Sequence, residues 1–327
     1  MSNSGKKFKL PFISREFKEV DKNEDTTPNI KYYFKSLPRR FSKIISINLM
    51  MLFTVIPIAA AIFAYLLLMP RIFVFTDTMF PVLNGINMID DSPVIDVLLS
   101  VTNISMDVTT FTAGAGAIVI AICVLFLLIT FGWQNLASTY LCRELFKGRS
   151  LFVFSDYFYA IKKNLKQGFV IGVLDFIISA VLIFDFLYFY NQPSELMLNL
   201  MFWGICGVSV IYAIMRFYMY LLLVTFDLPI KKIFKNSLIF TALGIKRNLV
   251  SSLWIILIGG LNIALGFALL PANLVLILIL PFFYFLGFAQ YTIVYAAYPV
   301  VDKYMIAPYY DEFGNPRSED GQAVTEE

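Results

Sequence analysis

The chain has 327 residues, of which 59% are hydrophobic and only 15% are charged. A soluble globular domain usually carries about a quarter charged residues, so this composition argues against a water-soluble fold and favours a membrane protein. The sequence contains no histidine, which excludes histidine-based acid–base catalysis, histidine metal ligands and serine–histidine–aspartate triads. The net charge of +3 is small and unevenly distributed, a pattern typical of membrane orientation and not of nucleic-acid binding.

Six apolar segments are long enough to cross a bilayer, since the hydrocarbon core requires about 20 residues of helix. They cover residues 44–69, 111–136, 169–189, 198–225, 250–270 and 274–300. We therefore predict an all-α fold, a polytopic transmembrane helix bundle of about six spanning helices. Residues 41–305 are predicted to form the membrane domain, between a basic N-terminal tail at residues 1–40 and a C-terminal tail at residues 306–327.

Basic residues are concentrated in alternate connections between these segments. The chain up to residue 43 holds 11 of the 26 lysines and arginines, and most of the others precede the third and fifth segments. The remaining connections contain Arg71 as their only basic residue. This distribution predicts that both termini are cytoplasmic. Residues 70–110 then form a long outer loop, in which Ser92-Pro93 followed by apolar residues predicts a short helix.

Two amphipathic segments precede the third and fifth spans. Phe154, Phe158 and Ile161 share one face of the first, and Ile233 and Phe234 share a face of the second. The lysines lie mostly off these faces, at Lys162, Lys163, Lys166, Lys231, Lys232 and Lys235. Such helices lie at the headgroup boundary of a bilayer. Two interpretations remain open, namely plain membrane anchoring and a docking surface for a cytoplasmic or membrane partner.

A short internal repeat accompanies these segments. Residues 160–165 (AIKKNL) resemble residues 244–249 (GIKRNL), and each stretch precedes an outward-running span. The hairpin of spans two and three is therefore predicted to echo the hairpin of spans four and five in parallel orientation. Gly168 and Gly172 have the four-residue spacing that lets two membrane helices approach closely.

Polar groups inside the apolar segments are the candidate functional residues, because charges at mid-bilayer are costly. Asp175 and Arg216 lie in adjacent antiparallel spans at similar depth, so we predict that they can meet. Such a pair could fix the hairpin or take part in binding or gating, and Arg216 could instead extend to the interface. Gln290, Tyr291 and Tyr295 form a polar face of the last span, suited to interhelical hydrogen bonds or to stacking on sugars.

Four stretches resemble parts of a known family, at residues 47–57, 156–167, 226–238 and 301–310. The second, DYFYAIKKNLKQ, is similar to the pattern Asp-Phe-Phe-x-Ala-Phe-Lys-x-Asn-Phe-Lys-Gln. This pattern is typical of the YesL family of bacterial integral membrane proteins, whose biochemical function is unknown. The resemblance covers roughly residues 30–310, with the outer loop as an insertion, as in a long-form member. It implies an accessory role in carbohydrate uptake, because genes of the family often neighbour carbohydrate ABC-transporter genes.

Motifs for common enzyme chemistry are missing from the sequence, including Walker A, HExxH, GxSxG and CxxC. We therefore predict a protein that is not an enzyme and binds no cofactor. The expected function is that of an accessory or regulatory component of carbohydrate uptake in the bacterial cell membrane. Its predicted partners are the lipid bilayer and carbohydrate ABC-transporter components, without nucleic acid. The alternative is an independent small-molecule transporter or channel, either as a monomer or as a homodimer.

Overall fold

The computed structural model describes residues 27–68, 71–75, 82, 85–86, 89, 105–109, 114–191, 195–269 and 276–309. This part of the chain contains eight α-helices of eleven or more residues. They are α1 (Ile30–Leu68), α2 (Ala115–Phe146), α3 (Val153–Lys163), α4 (Leu165–Tyr190), α5 (Leu196–Thr225), α6 (Ile230–Leu243), α7 (Ile245–Leu269) and α8 (Leu276–Val301). Two strands, β1 (Arg71–Phe75) and β2 (Ser105–Thr109), lie between α1 and α2, and a π-helical turn (Asp302–Ile306) follows α8.

Five of these helices, α1, α2, α4, α5 and α7, are long and apolar enough to cross a membrane. Their outer faces expose large apolar side chains such as Phe184, Val210 and Ile256, which need apolar surroundings. The predicted all-α helix bundle is therefore confirmed, and the chain is a multi-pass membrane protein. The sixth predicted span corresponds to α8, which has 26 residues. That α8 crosses the membrane stays a prediction.

Helix α1 begins at Ile30, whereas the first predicted span begins at residue 44. The additional turns are amphipathic and not uniformly apolar. A search for apolar segments long enough to cross a bilayer therefore does not include them. Tyr33, Ser36 and Arg40 recur at helical spacing and are all buried, while Lys31 is exposed. The start of the helix is therefore held by contacts within the bundle.

The chain divides into two compact units, one of Met1–Phe53 with Ile129–Glu327 and the other of Thr54–Leu128. In the second unit, β1 and β2 form an antiparallel ribbon in which Arg71 faces Thr109. This ribbon was not predicted, because it pairs two short segments whose paired residues lie thirty or more positions apart in sequence. The predicted short helix after Ser92-Pro93 lies outside the described residues.

The first unit repeats one order of helices. Both α2–α3–α4 and α5–α6–α7 consist of a long helix, a short helix and a second long helix. A break of a single residue separates the short helix from the one that follows, at Asn164 in the first set and at Gly244 in the second. The helix order agrees with the predicted repeat, although Asn164 and Gly244 occupy different positions within the AIKKNL and GIKRNL stretches.

Glycines allow two close helix crossings in the first unit. A Cβ atom added to Gly132 of α2 would lie 2.5 Å from the Cα atom of Gly172 in α4, which leaves no room for a side chain. Gly287 of α8 is equally confined, since an added Cβ atom would lie 2.5 Å from the carbonyl oxygen of Ile44 in α1. The predicted packing of Gly168 and Gly172 thus has Gly132 as its partner.

Candidate functional site

A buried carboxylate joins α4 to α5. Asp175 is fully buried, and the Nε atom of Arg216 lies 2.7 Å from its Oδ1 atom and 3.0 Å from its Oδ2 atom. Tyr212 donates a hydrogen bond of 2.8 Å to Oδ1, and Tyr220 donates one of 2.7 Å to Oδ2. Ser179, one turn along α4, adds a weaker bond of 3.4 Å. We call these five residues the Asp175 cluster.

The spacing of residues on α5 explains how the Asp175 cluster forms. Tyr212, Arg216 and Tyr220 are four residues apart, so their side chains lie along one face of the helix and turn toward α4. A single carboxylate can accept about four hydrogen bonds, and the cluster supplies that number of donors. The carboxylate is therefore fully engaged by protein groups, and the cluster fastens α4 to α5.

Arg216 has donors that the Asp175 cluster does not use. Its side chain is 30% exposed, and its guanidinium carbon lies 5.3 Å from the centre of the Phe131 ring. Within the described part of the chain, its terminal nitrogens have no hydrogen-bond partner. This contact with Phe131 of α2 extends the cluster to a third helix.

The predicted polar residues of α8 bond to three different partners. The Gln290 amide donates to the Thr139 hydroxyl at 2.7 Å, and the buried Tyr291 hydroxyl accepts a 2.6 Å hydrogen bond from Arg40. Tyr295 donates to the backbone carbonyl of Asn29 at 2.8 Å. These bonds link α8 to α2, to α1 and to the segment before α1. The described structure thus uses these side chains between helices.

Asn48, which the sequence did not single out as a site residue, inserts into the backbone of α8. Its amide nitrogen donates to the carbonyl of Phe282 at 2.6 Å, and its amide oxygen accepts from the Gly287 N–H at 2.8 Å. Asn48 is fully buried. One of these backbone groups directly follows Pro281, and the other lies six residues after it. The position of Asn48 within an apolar span was the only sequence signal available.

A second charged cluster lies at the end of α2. Arg143 and Glu144 are both buried and form an ion pair of 2.6 Å, and Arg149 adds a 2.9 Å pair to Glu144. Arg143 also donates to the carbonyl of Val224 and, at 3.3 Å, to the hydroxyl of Thr225. These bonds fasten the end of α2 to the end of α5. In the sequence, Arg143 and Arg149 belong to the basic stretch before the third span, which predicts orientation alone, and nothing there indicates a role for Glu144.

Lys147 and Asp302 lie beside this second charged cluster. Burial, followed by repulsion from Arg143, lowers the pKa of Lys147 below its usual value. Burial raises the pKa of Asp302, and the charge of Lys147 opposes that rise only in part. Lys147 also lies 5.2 Å from the centre of the Tyr298 ring. The neighbourhood thus disfavours the charged form of both residues.

The amphipathic helices α3 and α6 each bury one face and expose the other. Tyr157 and Ala160 are buried on α3, and burial raises the pKa of Tyr157 to about 12. Ile233 and Phe240 are buried on α6. All six predicted docking lysines are exposed, at Lys162, Lys163, Lys166, Lys231, Lys232 and Lys235. Within the described residues none of them forms an ion pair, so their charges remain available to lipids or to a partner.

The described residues include no group of three or more cysteines, aspartates and glutamates close enough to hold a metal ion. Comparison with protein-family models, with curated proteins and with solved structures found no match to this chain. Composition and fold therefore define the class, a multi-pass helical membrane protein. The resemblance to the YesL family stays a prediction.

Proposed function

We propose that the chain is an accessory or regulatory component of carbohydrate uptake, without catalytic activity of its own. In this proposal it resides in the bacterial cell membrane with both termini in the cytoplasm and associates with components of a carbohydrate ABC transporter. The proposal draws on the resemblance to the YesL family and on the distribution of basic residues along the chain. Its structural support comes from α3 and α6.

The exposed lysines of α3 and α6 carry the proposal. Each helix is anchored by a buried aromatic residue, Tyr157 in α3 and Phe240 in α6, while its lysines remain exposed without ion-pair partners in the described part of the chain. Anchored helices with free charges suit an acidic protein surface, because association does not first require breaking existing ion pairs.

The connections around α3 and α6 are also held firmly. The buried pair of Arg143 and Glu144 ties the end of α2 to the end of α5, just before α3 and α6 begin. Gln167 near the start of α4 donates to the carbonyl of Leu228, just before α6. A surface that is already ordered loses less conformational entropy when it binds a partner.

The alternative function, an independent small-molecule transporter or channel, would need intramembrane polar groups available to a solute. The carboxylate of Asp175 is fully buried and already accepts bonds from Tyr212, Arg216 and Tyr220. Gln290, Tyr291 and Tyr295 likewise bond to other parts of the chain. The terminal nitrogens of Arg216 keep unused donors within the described residues, but the other candidate side chains are engaged, and this favours the accessory role over the alternative.

The test is purification of the tagged full-length chain from its native membrane in mild detergent, followed by quantitative mass spectrometry. We expect a carbohydrate-transport permease or its ATPase in near-stoichiometric amount. Replacing Lys231, Lys232 and Lys235 together by glutamine should reduce this recovery strongly. The matched triple replacement by arginine should retain it, because the positive charge is kept.

Purification of the chain alone or as a self-dimer would contradict the accessory role and favour the transporter alternative. Equal recovery of the transport component with the glutamine and arginine variants would contradict the part assigned to the lysines of α6. Helix α3 would then be tested with the same pair of substitutions at Lys162, Lys163 and Lys166.

A further inference from the structure

A cavity of about 800 Å³ lies between the first turns of α1, the first half of α7 and the second half of α8. Its volume falls within the range of about 300–1,000 Å³ that is usual for small-molecule sites. The lining is mainly apolar, with Phe34 on α1 and Val250, Leu253 and Leu257 on α7. The last three side chains are about half exposed or more, so the cavity opens sideways toward the surroundings of the bundle.

Basic residues line one end of this cavity. Lys31 belongs to α1, and Lys246 and Arg247 lie at the start of α7. Among the described residues that line the cavity there is no aspartate or glutamate. These three cations form no ion pair within the described part of the chain. The cavity therefore has a positively charged end, and the rest of its lining is mainly apolar.

One charged donor in the cavity wall is buried without a partner in the described structure. The Nη2 atom of Arg247 donates to the carbonyl of Pro28, but its Nη1 atom has no hydrogen-bond partner. An unpaired buried donor is costly, and more so when it is charged. This atom therefore lacks an acceptor, which a ligand would supply. The indole Nε1 atom of Trp254 is buried in the same wall beside the Tyr33 hydroxyl, and its ring packs edge-on against Phe34 at 5.4 Å.

The arrangement of these groups along α7 indicates the shape of the ligand. Arg247 and Trp254 are seven residues apart, so they share a face of the helix and are separated by roughly 10 Å along its axis. Val250 lies between them on this face, and Leu257 follows Trp254. A ligand that matches the wall therefore carries an anion at Arg247 and a hydrocarbon chain along Val250, Trp254 and Leu257.

We propose that this cavity binds one anionic phospholipid. The phosphate accepts from Arg247, with Lys31 and Lys246 close by. One acyl chain lies along Leu253 and Leu257. Basic pockets between membrane helices bind anionic lipid head groups in this manner. This site is separate from the Asp175 cluster and from the lysines of α3 and α6, so it does not depend on the proposed function.

Native mass spectrometry of the full-length chain in mild detergent tests the site. The chain is titrated with phosphatidylglycerol and with phosphatidylcholine of identical acyl chains. We expect one phosphatidylglycerol to be retained in preference to phosphatidylcholine. Loss of a charge-assisted hydrogen bond in Arg247→Gln should weaken phosphatidylglycerol binding about tenfold. The control Lys303→Gln removes an exposed lysine outside the cavity and should leave binding unchanged.

Three results of this titration would overturn the proposal. The first is equal retention of the two lipids, and the second is equal loss of binding in Arg247→Gln and Lys303→Gln. The third is displacement of the lipid by glycerol 3-phosphate at equal concentration, because recognition would then rest on the phosphate alone.

A second test uses tryptophan fluorescence and leaves Arg247 unchanged. Arg247 also donates to the carbonyl of Pro28, so its replacement could alter the structure as well as lipid binding. The test protein carries Trp133→Phe and Trp203→Phe, so Trp254 is its only tryptophan. The control protein carries Trp133→Phe and Trp254→Phe, so its only tryptophan is Trp203, which is 66% exposed. Each protein is placed in phosphatidylcholine bilayers that contain a minor fraction of lipid with brominated chains. Brominated phosphatidylglycerol should quench Trp254 more than brominated phosphatidylcholine does. The two brominated lipids should quench Trp203 to the same extent. Equal quenching of Trp254 by both lipids would overturn the proposal.

Discussion

The Nε atom of Arg216 on α5 lies 2.7 Å from the carboxylate of Asp175 on α4. The two side chains therefore form an ion pair between two apolar helices. Tyr212 and Tyr220 bond to the same carboxylate from one turn before and one turn after Arg216. Burying a charge is costly unless it is paired and hydrogen-bonded, and here Asp175 has both kinds of partner. The arrangement therefore fastens α4 to α5 inside the bundle.

Replacing Asp175 by asparagine should destabilise the protein by about 3–5 kcal/mol, because it leaves the Arg216 cation without its partner inside an apolar bundle. Unfolding of the purified protein in detergent measures this loss. Asp185→Asn is the matched control, since Asp185 is on the same helix and forms no ion pair within the described residues. Equal stability of the two variants would contradict the structural role of the pair.

Replacing Gly132 by alanine should destabilise the protein by about 1–3 kcal/mol, because the added methyl group forces α2 away from Gly168 and Gly172. The control is Gly204→Ala, where nothing lies within 4 Å of an added Cβ atom. That variant should be neutral or slightly more stable, since alanine favours the helix. Thermal unfolding in detergent compares the two variants, and equal midpoints would show that the crossing tolerates a side chain.

The raised pKa of Asp302 predicts a dependence of stability on pH. The folded state holds the Asp302 proton more tightly than the unfolded state, so this residue's contribution to stability is fully present below its unfolded pKa. The contribution is lost as pH rises through the raised folded pKa. Asparagine does not ionise, so Asp302→Asn does not lose this stability. The variant should therefore become more stable relative to the native chain as the pH is raised from acidic values. A difference in midpoint that does not vary with pH would contradict the burial of this carboxyl.

Cysteine labelling from outside the cell tests the predicted orientation. The native cysteines, Cys123, Cys142 and Cys206, are first replaced by alanine. Glu195→Cys and Lys163→Cys then place a thiol at two exposed positions, so only the side of the membrane differs between them. A membrane-impermeant reagent should label position 195 in intact cells and position 163 only after lysis. The reverse pattern would overturn the cytoplasmic placement of the termini.

Several features of the fold followed from local sequence. The apolar runs predicted α4, α5, α7 and α8 near their observed positions, because the length and polarity of a membrane helix depend on its own residues. Helix α2 was predicted to end at residue 136 but continues to Phe146. The amphipathic period predicted the short helices α3 and α6, but on α3 Phe154 and Phe158 of the predicted apolar face are exposed, while Tyr157 and Ala160 are buried. Counting residues from the ends of two antiparallel spans placed Asp175 and Arg216 at similar depth, and the structure brings them into contact.

The partners of most polar side chains did not follow from the sequence. Asn48 bonds to the backbone of α8, and Arg143 bonds to the end of α5. Such contacts depend on how each helix is rotated about its axis and on which helices are neighbours, and neither property is encoded in the periodicity of one segment. The β1–β2 ribbon was not predicted because its two short strands lie far apart in sequence.

The sequence by itself determined the class of the protein, a multi-pass helical membrane protein, and the approximate limits of its spans, since hydrophobicity acts over single segments. Only the tertiary structure decided that Asp175 accepts bonds from two tyrosines in addition to Arg216. It also decided that Trp254 and Arg247, which keeps one unpaired donor, line the same cavity. The physical reason is that a binding site requires side chains from several helices, here α1, α7 and α8, to converge after the chain has folded.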